Sequence, residues 1–280
     1  MKILIIQENG RHDKNRHLRE CFSLQRSFIK LGIEAIVWGL GHSNYNENVI
    51  FEDFDLIINL ENYDEINWVP DLKNVKTKKM LWSIDAHIRG EYFYNLEFDR
   101  GNYDLLLHST KDYVNGNNKV WFPNCFDSDL IKPMDIEKSI DVGFCGSILN
   151  RSEYIKILSE NFNFHFHNFV IGDDMIKAIN SYKIHWNKNI SNDINYRSFE
   201  TIGCGVPLVT NFNYQYEELG FKHLENVIFY HNEVEMVELI KYSLSDQTIL
   251  DKISSNALEL SKKHTYLERC KQILNFYKNI

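Results

Sequence analysis

No two cysteines in this sequence are spaced C-x-x-C. The five present, Cys21, Cys125, Cys145, Cys204 and Cys270, are odd in number and widely scattered. That excludes a disulfide framework and a thiolate metal centre, and it fits reduced thiols in a cytoplasmic protein. Long apolar runs are missing too. None approaches the roughly 20 residues needed to span a bilayer, and the first, Ile3–Ile6, is too short for the apolar region of a signal peptide. There is no excess of positive charge. Lys and Arg number 31 against 39 Asp and Glu, for a net charge of −8, so the long-range field does not recommend a nucleic-acid partner, although a local basic patch can act on an acidic protein. No G-x-G-x-x-G follows the first strand, which counts against a dinucleotide-binding dehydrogenase. No repeat of fixed period is found. Prolines are few, and two of the four, Pro123 and Pro133, fall in the stretch 123–140.

What is present is an alternation. Short, nearly continuous apolar runs (Ile3–Ile6, Ala35–Trp38, Leu56–Asn59, Met80–Ile84, Leu105–Ser109, Val120–Phe122) read as strands covered on both faces. Between the first two, Leu18, Cys21, Phe22, Leu24, Phe28 and Ile29 recur at helical spacing until Gly32. Residues 123–140 break the rhythm and read as a connection. A second series follows, with strands at Asp141–Cys145, Phe162–His167, Lys183–Trp186, Leu208–Thr210 and Asn226–Tyr230, and with helices at Arg151–Leu158, Asp173–Ser181 and from Glu233 onward. The length is comfortable for two domains. The pattern predicts an α/β protein with two Rossmann-like parallel-sheet domains facing a central cleft. Residues 1–130 form the first domain and 131–265 the second. Helix 266–280 is expected to pack back towards the first. Ligands of such sheets sit at the carboxyl ends of strands.

Four candidate segments lie at those ends. Within Asn195–Asn211, Arg197 and Glu200 share one face of a helix start, Gly203 and Gly205 end the helix, and Pro207 opens a buried strand. The pair is either a ligand contact or a surface ion pair. Between Gly10 and Glu20, Arg11, Lys14, Arg16 and Arg19 outnumber Asp13 and Glu20. This stretch is either a solvated loop or a site of phosphate contact. Asp85 and His87 follow the strand Met80–Ile84 and could supply a general base and its orienter, position a sugar hydroxyl, or simply cap a turn. Gly146 and Ser147 form a small-residue turn before a helix, an anion site by geometry, to which Arg151 could add charge-assisted bonds. Asp127 and Asp129 match a D-x-D pattern but lie in the connection with no accompanying histidine, so no metal site is expected. His165 and His167 alternate along one strand face, and His108, His185, His231 and His264 read as structural.

Taken together, Leu81–His87, the Asp141–Ser147 turn with Arg151, the Asn195-x-Arg197-x-Phe199-Glu200 helix start with Gly205, and His264-Thr265-Tyr266 with Arg269 resemble the GT-B-fold glycosyltransferases. The likeness is to the CgeB-like branch, related to the large retaining group, and it runs through most of the chain. It implies a hexosyltransferase with UDP-glucose as donor substrate, held mainly by the second half. Glu200 matches the glutamate that holds the donor ribose. Gly146, Ser147 and Arg151 match the diphosphate turn, with Asn195 and Arg197 beside it. The Gly10 loop would hold the acceptor. No metal or other cofactor is required, because basic side chains and helix dipoles can neutralise a departing diphosphate. One departure stands out. The related retaining enzymes carry a second glutamate where this chain has Asn192, beside Asp193. An inverting reaction would need a base, for which Asp85, His87 and Asp13 are the candidates. The opening Met1–His12 is also similar to that of the T-even-type phage DNA glucosyltransferases. That similarity implies an acceptor glucose on glucosylated 5-hydroxymethylcytosine in double-stranded DNA, with Gly10, Arg11, Lys14 and Arg16 at the DNA backbone and a location in the host cytoplasm. The alternatives are a cell-surface or spore polysaccharide as acceptor, or a binding module without catalysis.

Overall fold

The computed structural model describes residues 1–62 and 68–280. The chain divides into two compact units, Met1–Asn124 with Tyr266–Ile280, and Cys125–Thr265. The first parting falls inside the proline-bearing stretch, at Asn124/Cys125 rather than at 130. Phe126 already bridges to Thr265 within the second unit.

The first unit is built on six parallel strands, β1 (Lys2–Ile6), β2 (Glu34–Trp38), β3 (Leu56–Leu60), β4 (Lys78–Ser83), β5 (Leu105–His108) and β6 (Lys119–Trp121). Their order is β2-β1-β3-β4-β5-β6. Ile5 stands opposite Val37 on one side and Ile58 on the other, and β1 is apolar and buried from Ile3 to Ile6, as a sheet covered on both faces requires. Helix α1 (Glu20–Lys30) turns Cys21, Leu24 and Phe28 inward. Full burial of Leu24 and Phe28 contributes about 1.5–3 kcal/mol each. The short α2 (Ala86–Arg89) and α3 (Glu91–Gly101) follow β4. α3 carries little apolar periodicity, with Tyr94 and Gly101 as its buried residues. The last helix, Tyr266–Tyr277, packs on α1. Its buried Arg269 donates to the carbonyls of Pro123 (2.8 Å) and Asn124 (3.2 Å) and lies over the Phe122 ring.

The second unit holds β7 (Ile140–Gly146), β8 (Phe164–Asn168), β9 (Tyr182–Asn187), β10 (Leu208–Asn211) and β11 (Ile228–Tyr230). All are parallel, in the order β11-β10-β9-β7-β8. Between and after them run α4 (Ser152–Asn161), α5 (Asp173–Asn180), α6 (Tyr196–Gly203), α7 (Tyr214–Glu218), α8 (Glu233–Leu244) and α9 (Gln247–Ser261). The core joins Val142 and Phe144 to Ile184, Trp186, Val209 and Ile228. Gly143 is fixed by packing, because a Cβ there would stand 2.2 Å from the Tyr182 ring.

Each sheet has one point where the chain, having gone outward, returns to the other side of its first strand. In the first unit it lies between β1 and β3, and in the second between β7 and β9. The crevice outside the carboxyl ends of such strands is where open α/β sheets place ligands.

Candidate active site

In the second unit the switch point is flanked by the turn after β7 and the segment after β9. Gly146 is the last residue of β7, and Ser147–Arg151 turn the chain into α4, with Asn150 in the left-handed region at φ 57°. Arg151 is buried. Its Nε and Nη2 donate to the Lys188 carbonyl (3.2 and 2.7 Å), and Nη1 donates to the carbonyls of Ser147 and Leu149. The guanidinium thus ties the β7 turn to the chain leaving β9. Burial lowers its pKa from the usual arginine value.

The segment after β9 is held by neutral groups. Asn187 and Asn195 exchange side-chain amide bonds of 3.1 and 3.4 Å. Asn187 also donates to Ser198 Oγ, which meets the Tyr216 hydroxyl at 2.7 Å. Asn189 donates to that same hydroxyl at 2.7 Å, and its carbonyl oxygen Oδ1 accepts the Asn195 N–H at 3.2 Å. Asn211 accepts the Asn189 N–H, and Asn213 donates to the Asn192 carbonyl at 2.6 Å. Apart from Asn195, no part of this lattice is visible in sequence spacing. The signal available was only the asparagine density at the ends of β9 and β10. On the lattice stands α6. Glu200, one turn into the helix, accepts from Arg197 Nη1 at 2.5 Å, with the side chains 14% and 20% exposed respectively. Arg197 also touches the Met175 sulfur. Burial pulls its pKa down, but Glu200, together with Cys145, Tyr182 and Cys204, outweighs this and holds it above the ordinary value. Beneath the helix His185 is fully buried, its Nδ1 2.5 Å from Thr201 Oγ1. Burial, then Arg197, keep it far below the usual histidine range.

In the first unit the switch point is charged. Glu8 and Arg19, both buried, form an ion pair, and the Glu8 N–H donates to Asn62 Oδ1 at 2.8 Å. Gln7 bonds Glu20 Oε2 and the Glu61 carbonyl. Gly10 has φ 80°, and a Cβ on it would press within 3.1 Å of Arg19 Cδ. The loop it opens runs through a 3-10 turn, Asp13–Leu18. Gly10, Arg11, His12, Asn15, Arg16 and Arg19 line a hollow of about 180 Å³. Arg16 pairs with Asp13 and donates to the Asn9 carbonyl at 3.3 Å. Arg11 and Lys14 are exposed. Asp13 is 84% exposed.

Asp85 and His87 stand at the carboxyl end of β4, Asp85 as the residue before α2 and His87 within its single turn. Both are half-buried. Their backbone is fixed by Glu61, which sequence reasoning missed. Glu61 Oε2 accepts the N–H groups of Ile84 and Asp85, each at 2.9 Å, and the Tyr94 hydroxyl. Its Oε1 lies 3.4 Å from Arg89 Nε, and Arg89 donates to the Asn62 carbonyl at 2.6 Å. Burial, then Glu61, push the Tyr94 phenol well up. One carboxylate thus joins the ends of β3 and β4.

The structure brings Arg197 and Glu200 together, sets Asn195 in the lattice beneath them, and places Gly146, Ser147 and Arg151 at the same switch point. It gathers Gly10, Arg11 and Arg16 around one hollow, with Lys14 on the adjoining turn. Asp127 Oδ1 accepts the Asp129 N–H at 3.0 Å, closing a turn. His165 and His167 stack at 4.0 Å on β8. His108 bonds Ser83 Oγ at 2.8 Å, and His264 meets the Leu219 carbonyl at 2.9 Å.

Against known proteins, residues 128–275 match the family model described as glycosyl transferase-like. No curated protein matches the chain in sequence. Among solved structures, a sucrose-phosphate synthase from Thermosynechococcus elongatus superposes with a TM-score of 0.68 at 10% identity, covering 100% of this chain and 99% of that one. An α-glucosyltransferase in complex with UDP and a 13-mer DNA superposes at 0.68 and 12% identity, covering 100% of each chain. Anabaena HepE in complex with UDP and glucose does so at 0.64 and 12%, again covering 100% of each. At such identities the likeness establishes the fold: two Rossmann-like units of the GT-B kind.

Proposed function

This chain belongs to the glycosyl transferase-like family, and from that premise we propose that it moves glucose from UDP-glucose to a sugar hydroxyl. The acceptor we favour is the glucose of glucosylated 5-hydroxymethylcytosine in double-stranded DNA. The observation that carries the donor half is the Arg197–Glu200 pair, held on a lattice of amides and hydroxyls at the switch point of the unit the family model matches. In this reading Glu200 accepts from the ribose hydroxyls, and Arg197, Gly146 and Ser147 lie beside the phosphates. The first unit takes the acceptor, with Gly10, Arg11, Lys14 and Arg16 at the DNA backbone. Solved relatives of the fold in complex with UDP and DNA support the pairing of substrates.

For proton transfer, Asp85 and His87 are preferred to Asp13. Glu61 fixes the backbone at Asp85, and a general base works only when held in place, whereas Asp13 is almost wholly exposed and pairs with Arg16. Asn192 is exposed, with its carbonyl accepting from Asn213. An amide there contributes no carboxylate to the transferred sugar, which favours a route through a side-chain base. The reaction in this reading needs no metal, and activity is expected to persist in EDTA.

A second reading keeps the donor and changes the acceptor. The fold likeness to Anabaena HepE, solved with UDP and glucose, and the net charge of −8 favour a polysaccharide, as in CgeB-like enzymes. Incubation of the protein and UDP-glucose with glucosylated hydroxymethylcytosine DNA, plain hydroxymethylcytosine DNA or a polysaccharide, followed by mass analysis, separates the two. A hexose added only to the glucosylated DNA supports the first reading. No UDP release with any of these acceptors would leave a binding module. Glu200→Ala is expected to abolish most donor use, and unchanged UDP-glucose binding in that variant would refute the donor assignment.

A further inference from the structure

Three cations stand at the carboxyl ends of β7 and β9, and they are engaged differently. Arg151 spends its guanidinium on the backbone carbonyls of Lys188, Ser147 and Leu149. Turning it to a ligand would strand those acceptors and release the turn from the chain leaving β9. Arg197 is matched by Glu200 at 2.5 Å. Lys188 is the first residue after β9, half-buried, and makes no ion pair among the described residues. Its Nζ lies 3.9 Å from the centroid of the Tyr154 ring. That ring, on the first turn of α4, stacks on Trp186 at 5.7 Å, so the seat under the ammonium is fixed.

We infer that Lys188 is the cation that meets the diphosphate of the nucleotide-sugar donor, the role the sequence assigns to Arg151. The inference rests on the donor reading above. A cation over an aromatic face is held weakly compared with a cation on a phosphate. A lysine stem is flexible and its ammonium has three rotatable donors, so it can exchange one for the other without disturbing the backbone. The ammonium is also poorly neutralised where it sits. Burial lowers its pKa and Arg151 adds to the fall, which Glu233 and Glu153 offset only in part. A dianion entering between β7 and β9 supplies the missing counter-charge. The lattice of Asn187, Asn189 and Asn195 brings no formal charge of its own to compete.

The test is calorimetric binding of UDP and of uridine to the full chain and to Lys188→Met and Lys188→Arg. Lys188→Met is expected to weaken UDP by about tenfold or more, the scale of a charge-assisted contact, while uridine changes by less than about twofold. Lys188→Arg is expected to recover most of the UDP affinity. UDP affinity equal to wild type in Lys188→Met overturns the inference. So does an equal loss for UDP and uridine, which would make Lys188 a support for the loop. A wild-type chain that binds neither compound brings down the donor reading, and this inference with it, whereas a wild type that binds UDP keeps the reading whatever Lys188 does.

Discussion

At the switch point of the first unit the fixed contacts are made by charged groups, Glu8 with Arg19 and Glu61 with Arg89. At that of the second, apart from the Arg151 guanidinium on backbone carbonyls, they are made by amides and hydroxyls, Asn187 with Asn195 and Ser198, and Asn189 with Tyr216. The two solutions have different liabilities. Matched charges in a low-dielectric pocket are costly to separate, and removing one partner leaves the other buried and alone. Neutral networks hold their geometry regardless of ionic strength, and they leave the local field to the few charges at their edge. The second unit therefore presents Lys188 and the Arg197–Glu200 pair against a neutral background. The first has matched Glu8 with Arg19 and Glu61 with Arg89, and its basic loop carries Arg11 and Lys14 on exposed positions.

Removing one buried charge should strain this contrast most. Glu8→Ala leaves Arg19 with Glu20 at 3.8 Å as a remaining acidic neighbour and is expected to cost about 3 kcal/mol in urea denaturation. Glu8→Gln should cost less. A loss below about 0.5 kcal/mol in the alanine variant would show that the charged scaffold is not structural.

Acid should reach both units. Burial, then Lys119, lower His108 to about 4. The unfolded chain, with an ordinary histidine value near 6.5, binds more protons between the two, so stability rises with pH across that window. It is complete above about 6.5 and is lost as pH falls towards 4, by up to about 3 kcal/mol for this group. His185 in the second unit is shifted the same way. Denaturation midpoints at pH 7 and 4.5 test this. A midpoint independent of pH, or one equally steep in His108→Gln, would remove His108 from the account.

Tyr216→Phe strikes the neutral lattice. It deprives Ser198 and Asn189 of a buried partner and is expected to cost about 2 kcal/mol, with little dependence on added salt. A strong salt dependence would mean that the lattice is not neutral in effect. Arg16→Ala should be the mildest. Its partner Asp13 is exposed, so folding stability should change by less than about 1 kcal/mol. In the DNA reading, the salt dependence of DNA affinity should fall by about one counterion. An unchanged slope would leave the loop as a merely solvated one.

The strands and most helices were legible because apolar runs and helical spacing are local signals. α3 was not, since its buried face amounts to Tyr94 and Gly101. The same limit separates the two glutamates. Glu200 lies one helical turn from Arg197, and spacing alone pairs them. Glu61 acts on residues 84, 85 and 94, and no spacing within one element announces that. Arg151 is legible as a cation in the turn after β7, but which way its guanidinium faces depends on the Lys188 carbonyl, which reaches it only when β9 lies beside β7. Arg269, a mark of family resemblance in the sequence, is here a brace on the carbonyls of Pro123 and Asn124.

That brace bears on the order in which the protein can be completed during synthesis. The first unit is discontinuous: its last helix is translated only after the whole of the second unit. Until residues 266–280 leave the ribosome, α1 lacks the helix that covers it and the Pro123 and Asn124 carbonyls lack Arg269. The second unit, continuous from Cys125 to Thr265, has no such wait. A released chain ending at residue 265 should therefore protect its later half from protease better than its earlier one, against the usual amino-to-carboxyl order of domain folding.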